Sequence, residues 1–220
     1  MAEAPEPVDP QHVLLERMLF FSDAVFAIVL TLLALELRAP AGIDDAHLLE
    51  GLVEMKSELI AFAVSFAVVG VCWMAHLTMM RALARFDWLV AVVNLVFLFT
   101  ITVTPFVTTT VGIDGVLGNG WRLYCLTFVV ISVVQAVLLV VCHRDEARLV
   151  HEAHHGRLAF RLAQASSPGA SFAVGFGLSL AGQPFLSSFC WVLAPVMMLA
   201  ARVLELRGAL TSPPSGEESA

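Results

Sequence analysis

The sequence predicts an all-α integral membrane protein with six transmembrane helices per subunit. Three observations carry this. Of the 220 residues, 59% are hydrophobic and only 14% charged, whereas soluble domains are about 45 to 50% apolar and about 25% charged. The mean hydropathy is +0.85. Apolar runs close to the roughly 20 residues that a helix needs to cross a bilayer core recur between short polar links.

Residues 1–16 form an N-terminal lead. Met1 to Pro10 is acidic and proline-rich, which predicts disorder rather than the positively charged start of a signal peptide. Gln11 to Glu16 feeds the first span, Met18 to Leu37, which ends at Pro40 to Gly42. Asp44, Asp45, Glu50 and Glu54 make an acidic link, partly helical from Ala46. The second span covers Leu59 to Leu77. A short link with Arg81, Arg85 and Asp87 leads to the third, Trp88 to Val107, with Pro105 near its end.

Val111 to Gly120 reads as a glycine-containing turn, and the fourth span runs from Leu123 to Val141. The loop from His143 to Arg161 is the most charged of the chain. The fifth span has a clean apolar run only from Ala170 to Ala181. It must recruit residues before Pro168, which predicts a kink or a tilted entry. Gly182 to Pro184 makes a tight turn, and the sixth span runs from Phe185 to Leu204. The spans make residues 17–207 one membrane domain, and 208–220 a disordered tail.

Lys and Arg in the short loops set the orientation. With the N-terminus inside, Arg17, Arg81, Arg85, Arg144, Arg148, Arg157, Arg161, Arg202 and Arg207 lie on the inner side; only Arg38, Lys56 and Arg122 lie outside. The prediction is a multi-pass protein of the cell (inner or plasma) membrane with both termini cytoplasmic.

The polar residues inside the spans are the candidate functional groups. The first span carries Ser22 and Asp23 about a turn inside its start. An aspartate at membrane depth costs roughly 2.5 to 3.5 kcal/mol on insertion scales, so it must face protein or water. On a helix of period 3.6, Arg17, Phe21, Ala24, Ile28, Thr31, Leu32 and Leu35 share one stripe, and Ser22 and Asp23 project from the other side. The second span contributes Trp73 and His76, the third Asn94. A hydrogen-bond network joining Ser22, Asp23, His76 and Asn94 is the economical way to satisfy these groups.

The pattern Arg17-x-x-x-Phe21-Ser22-Asp23, continued by Ala24-Val25-Phe26-Ala27-Ile28 and Thr31-Leu32-Leu33, resembles the first helix of the transmembrane protein 175 family of potassium channels. His76 and Asn94 match that family's second and third helices in place. The resemblance covers Arg17 to about Phe106, and the remaining spans more loosely. It implies the single-repeat prokaryotic type, a homotetramer in the lipid bilayer around a central pore for potassium ions, lined by the first helix. The pore positions it implies are Ile28, Leu32 and Leu35, with Thr31 as the hydroxyl position; they fall on the stripe derived from periodicity. Arg17, Phe21, Ser22, Asp23, Trp73, His76 and Asn94 are then the structural polar motif. The implied pore is a stack of apolar rings that gates by narrowing and dewetting, with modest potassium selectivity. Glu36, Asp44 and Asp45 would concentrate cations near its outer mouth. The alternatives are a proton-coupled secondary transporter using Asp23 and His76, and a structural or sensor membrane protein that conducts nothing.

Other features point away from different functions. A net charge of -7 disfavours a nucleic-acid partner. No nucleophile triad, phosphate-binding glycine loop or catalytic carboxylate pair is present, so no enzyme is expected. No cofactor or metal is expected either. Cys72, Cys125, Cys142 and Cys190 have no metal-ligand spacing and read as buried small hydrophobes. His151, Glu152, His154 and His155 lack an H-E-x-x-H frame and read as a solvated face, with pH sensing as the alternative. Thr110-Val111-Gly112-Ile113-Asp114 resembles a T-V-G-Y-G filter but has Asp114 where the second glycine belongs. Ser171, Gly175 and Ser179, and likewise Ala173, Gly177 and Ala181, recur every four residues as packing stripes.

Overall fold

The computed structural model describes residues 9–37, 48–145, 149, 158–191, 193 and 196. These residues are helical throughout apart from short links. The first helix, α1 (Pro10–Leu35), starts earlier than the apolar run because Asp9 caps it, accepting from the Gln11 amide at 3.0 Å, with Pro10 at its first position. Its 26 residues extend about 39 Å, longer than the hydrocarbon core, which a helix accommodates by tilting or by projecting beyond it. The short α2 (Leu48–Glu54) occupies the acidic link where partial helix was expected. Next come α3 (Lys56–Met80), α4 (Trp88–Thr102) and α5 (Thr104–Asp114).

The break between α4 and α5 lies at Val103. Pro105 has no N–H for the Ile101 carbonyl four residues back, so the ladder cannot run through. The two pieces still make one candidate span, Trp88–Val111. The turn expected from Val111 is corrected: the chain stays helical to Asp114, makes one 3-10 turn at Gly115–Leu117, and enters α6 (Asn119–His143). The Thr110–Asp114 stretch is thus helical, which excludes an extended carbonyl filter there.

The helix α7 (Leu158–Leu180) does recruit residues before Pro168, which it carries inside. Gly182, at φ 75°, closes it, and the Gln183 amide returns to the Leu178 carbonyl at 2.9 Å. The four-residue α8 (Pro184–Ser187) follows. Among the described residues, four helical segments are long and apolar enough to cross a membrane: α1, α3, α4 with α5, and α6. Most of the sixth predicted span, the His151–His155 cluster, Asp44 and Asp45 lie outside the described residues, so the six-span count rests on the sequence.

The core is built on α6, which packs against α4, α5 and α7. Trp121, Tyr124 and Phe128 of its N-terminal half stack with Phe172 of α7, with ring centroids 4.8 to 5.8 Å apart. Asp87 ties one end of the bundle. Its Oδ1 caps α4 through the Val90 amide at 3.0 Å, and its Oδ2 meets the Arg144 guanidinium at the end of α6 at 2.8 Å. That guanidinium holds the Asp87 carboxyl below its usual range. All four cysteines are buried and free.

The two small-residue stripes of α7 part company. Ser171, Gly175 and Ser179 are buried, and Gly175 sits against Cys190 and Ser187. Ala173, Gly177 and Ala181 face outward, and a Cβ on Gly177 would meet nothing within 4 Å. Among the described residues, only the first is a packing face within the subunit. Gly120 is tighter still, since a Cβ there would overlap the Thr110 carbonyl, which is backbone and cannot step aside. Gly120→Ala is therefore expected to destabilise the protein by about 1 to 3 kcal/mol, whereas Gly177→Ala gains helix propensity and leaves stability unchanged or higher. Thermal melts in detergent check the pair; equal losses would show that the α5–α6 contact is not close-packed.

Candidate functional site

The site begins with the two faces of α1. Against α3, α4 and α5 it buries Leu15, Ser22, Phe26, Val29 and Leu33. Within the single subunit the opposite face is open: Arg17, Phe21, Ala24, Ile28, Thr31, Leu32 and Leu35 are all exposed. Ile28 is 56% exposed and Leu33 only 1%, although both are large aliphatics on one helix. Helical phase alone separates them.

The buried face is held by a directed chain of hydrogen bonds. The His76 Nε2–H on α3 donates to Asn94 Oδ1 on α4 at 2.8 Å, because an amide oxygen only accepts. Asn94 Nδ2 donates to Ser22 Oγ at 2.9 Å, and Ser22 donates to the Met18 carbonyl at 2.9 Å. Ser22, His76 and Asn94 are each 1% exposed. The imidazole stacks on Phe97 at 5.3 Å and lies 5.6 Å from Phe26, so three helices meet at one ring.

Asp23 stands beside this chain rather than in it. Its Oδ1 accepts from Trp73 Nε1 at 2.9 Å. The expected partnership of Asp23 with His76 or Asn94 is corrected to one with Trp73. The helix positions explain it: Ser22 and Asp23 are consecutive, so their side chains diverge by about 100° and reach different neighbours. Arg17 and Phe21 belong to the same sequence pattern but lie on the open stripe and take no part in the network.

A second polar cluster escaped the sequence reading. Thr108 Oγ1 on α5 hydrogen-bonds Ser65 Oγ on α3 at 2.8 Å, and Ser65 meets the Tyr124 hydroxyl of α6 at 3.0 Å. Nearby, Ser187 receives the Trp121 indole N–H and donates to the Gly175 carbonyl. The halves of the spans away from Ser22 are therefore not empty of polar groups. Apart from the hydroxyls and Tyr124 in otherwise apolar runs, no sequence signal marked them. Among the described residues no group of His, Cys, Asp and Glu is placed to hold a metal ion.

Residues 17–105 match the family described as endosomal/lysosomal potassium channel TMEM175. A potassium channel of Streptomyces collinus is 27% identical over 86% of this chain and 89% of its own length. The zebrafish protein named endosomal/lysosomal proton channel TMEM175 is 27% identical over 56% of this chain, which spans about a quarter of it (24%). Among solved structures, a lysosomal potassium-selective channel TMEM175 homolog from Chamaesiphon minutus superposes with a TM-score of 0.70 at 26% identity. That match covers 85% of this chain and 97% of the other. The chain therefore resembles the TMEM175 family in sequence over its first long helices and in fold over most of its length.

The geometry orders two substitutions. Asn94→Ala removes both bonds of the central amide and strands His76 Nε2, at about 1 to 3 kcal/mol for a buried unsatisfied group. Asp23→Ala strands only the indole N–H of half-buried Trp73, so its loss should be smaller. Thermal unfolding of the two variants in detergent tests this; a larger loss for Asp23→Ala would mean that the carboxylate, not the amide, anchors α1.

Proposed function

We propose that this chain, similar to the TMEM175 family, forms a potassium-permeable and modestly selective cation channel in the cell membrane. Four copies surround a central pore lined by α1, and both termini face the cytoplasm. The observation that carries this reading is the open stripe Ile28, Thr31, Leu32 and Leu35 on a helix whose other face is locked by polar bonds. A lone subunit encloses no pore with such a stripe; a symmetric ring of copies does. The potassium-channel names of the bacterial relatives support the ion.

In the ring, Ile28, Leu32 and Leu35 form successive apolar constrictions about 4.5 to 6 Å apart along the axis. Narrow apolar rings hold water poorly and are the main barrier to an ion. Thr31 Oγ1 donates its proton to the Ile28 carbonyl at 2.7 Å. Its remaining lone pairs are free to replace water around a partly dehydrated cation, which suits a modest preference for potassium. Glu36 is exposed just beyond Leu35 and adds negative charge at the outer end.

The proton-coupled transporter is less well supported. Asp23 and His76 bond different partners, and the His76–Asn94–Ser22 chain ends on a backbone carbonyl, which cannot take up a proton. Proton permeation through the pore itself stands as the second reading, favoured by the name of the zebrafish relative. Proteoliposome flux separates the three: passive potassium flux marks the channel, acid-driven current without potassium the proton pore, and strictly coupled flux the transporter.

Two outcomes are expected. Native mass spectrometry should find a homotetramer; a monomer or dimer that still conducts would overturn the architecture. Ile28→Asn should wet its ring, raising conductance and lowering discrimination between potassium and sodium. Leu33→Asn, on the buried face, should instead lower stability without widening the pore. Single-channel recordings decide, and the opposite pattern would show that another face lines the path.

A further inference from the structure

We propose that Arg17 forms a ring of four guanidinium groups at the inner mouth of the pore, where it opposes cation entry and makes the channel rectify. This rests on the reading that α1 lines the pore. Arg17 lies eleven residues before Ile28, about 20° from three full turns, so it holds the same phase about 16 Å further along the axis. It is exposed, and among the described residues it has no hydrogen bond or ion pair.

Nothing on the stripe neutralises it. Its helical neighbours three and four residues away are Val13, Leu14, Phe20 and Phe21, all apolar and exposed. The nearby carboxylates of α1 are engaged elsewhere: Glu16 meets His12 at 3.6 Å, and Asp23 accepts from Trp73. Both sit 100° or more around the helix from Arg17. Within α1 from Pro10 to Leu35, Arg17 is the only charged residue in phase with the apolar rings. Four such charges converging on an axis between low-dielectric walls focus a positive potential, which lowers the local cation concentration at that mouth and leaves the other mouth untouched. The bland alternative is an arginine that snorkels to lipid phosphates. An outward-facing arginine of that kind would leave the current symmetric.

The test is the current–voltage relation of the full-length channel in inside-out patches with equal potassium on both sides. At 0.1 M salt, current entering from the Arg17 side should be lower than the reverse current at the opposite voltage by about twofold or more. At 1 M, where the screening length falls from about 10 Å to about 3 Å, the ratio should return towards one. Arg17→Gln should abolish the asymmetry at 0.1 M. Arg17→Lys should keep it, and so should Arg85→Gln, which removes an exposed charge predicted for the same membrane side from outside α1. If Arg17→Gln fails to assemble, Arg17→Cys serves: the native cysteines are buried. A cationic thiol reagent should then restore the asymmetry, and an anionic one reverse it.

A symmetric wild type at 0.1 M, or an Arg17→Gln channel that rectifies like wild type, would overturn the proposal. So would equal loss in Arg85→Gln, which points to general surface charge. Ile28→Asn recorded alongside keeps the two ideas apart. If it alters conductance while Arg17→Gln leaves the ratio unchanged, the ring falls and the pore reading stands. If Ile28→Asn changes neither conductance nor selectivity, the pore reading falls and the ring with it.

Discussion

The amide of Asn94 is the contact on which the rest of the arrangement depends. It receives the His76 proton and passes its own to Ser22, so it joins α3, α4 and α1 with two bonds of 2.8 and 2.9 Å. Apolar packing cannot do this alone. In a bilayer the lipid is as apolar as leucine, so an aliphatic face gains little by choosing protein over lipid, and a smooth helix is free to rotate. A buried amide has no such freedom, because every other orientation leaves it unsatisfied. The polar chain therefore sets which way α1 turns.

Once that rotation is fixed, the remainder follows from phase. Val29 and Leu33 share the buried side with Ser22 and Phe26, and the residues half a turn away are left outward. The open stripe is the complement of the clamp rather than a separate construction. The second cluster, Ser65, Thr108 and Tyr124, serves α3, α5 and α6 in the same way in the opposite half of the bundle. Between them the two clusters pin α3 at two depths, which gives α1 a fixed surface to lean on.

What was legible in the sequence divides along physical lines. The two faces of α1 were readable because Ser22 and Asp23 are costly in lipid and their phase is set by covalent geometry. The exact pairing was not: whether Asp23 reaches His76 or Trp73 depends on how α3 is rotated, and a single-helix pattern carries no such information. Pro105 reads only as lying near the end of the third span, so the break at Val103 was missed, and the helical continuation to Asp114 was hidden behind Gly112 and Gly115, which read as a turn. The stripe Ala173, Gly177, Ala181 looked like its buried neighbour Ser171, Gly175, Ser179. Spacing identifies a face, and only the neighbouring helix decides whether it is covered. Ser65 and Thr108 gave no sign, since a hydroxyl in a span most often bonds its own preceding turn, as Thr78 does to Met74.

The separation of clamp and stripe has a consequence for how such a helix responds to change. The clamp works through groups that are satisfied at one geometry only, so altering it acts on stability and on the angle at which α1 is presented. Among the described residues the stripe has no partner within the subunit, so altering it acts on whatever fills the space outside that face. Arg17 and Phe21 share one short pattern with Ser22 and Asp23, yet fall on the side that the subunit leaves open. A motif contiguous in sequence is thus divided by the 100° step of the helix into two devices. One orients the helix towards its own subunit, and the other faces outward, where the described residues place no counter-charge on Arg17.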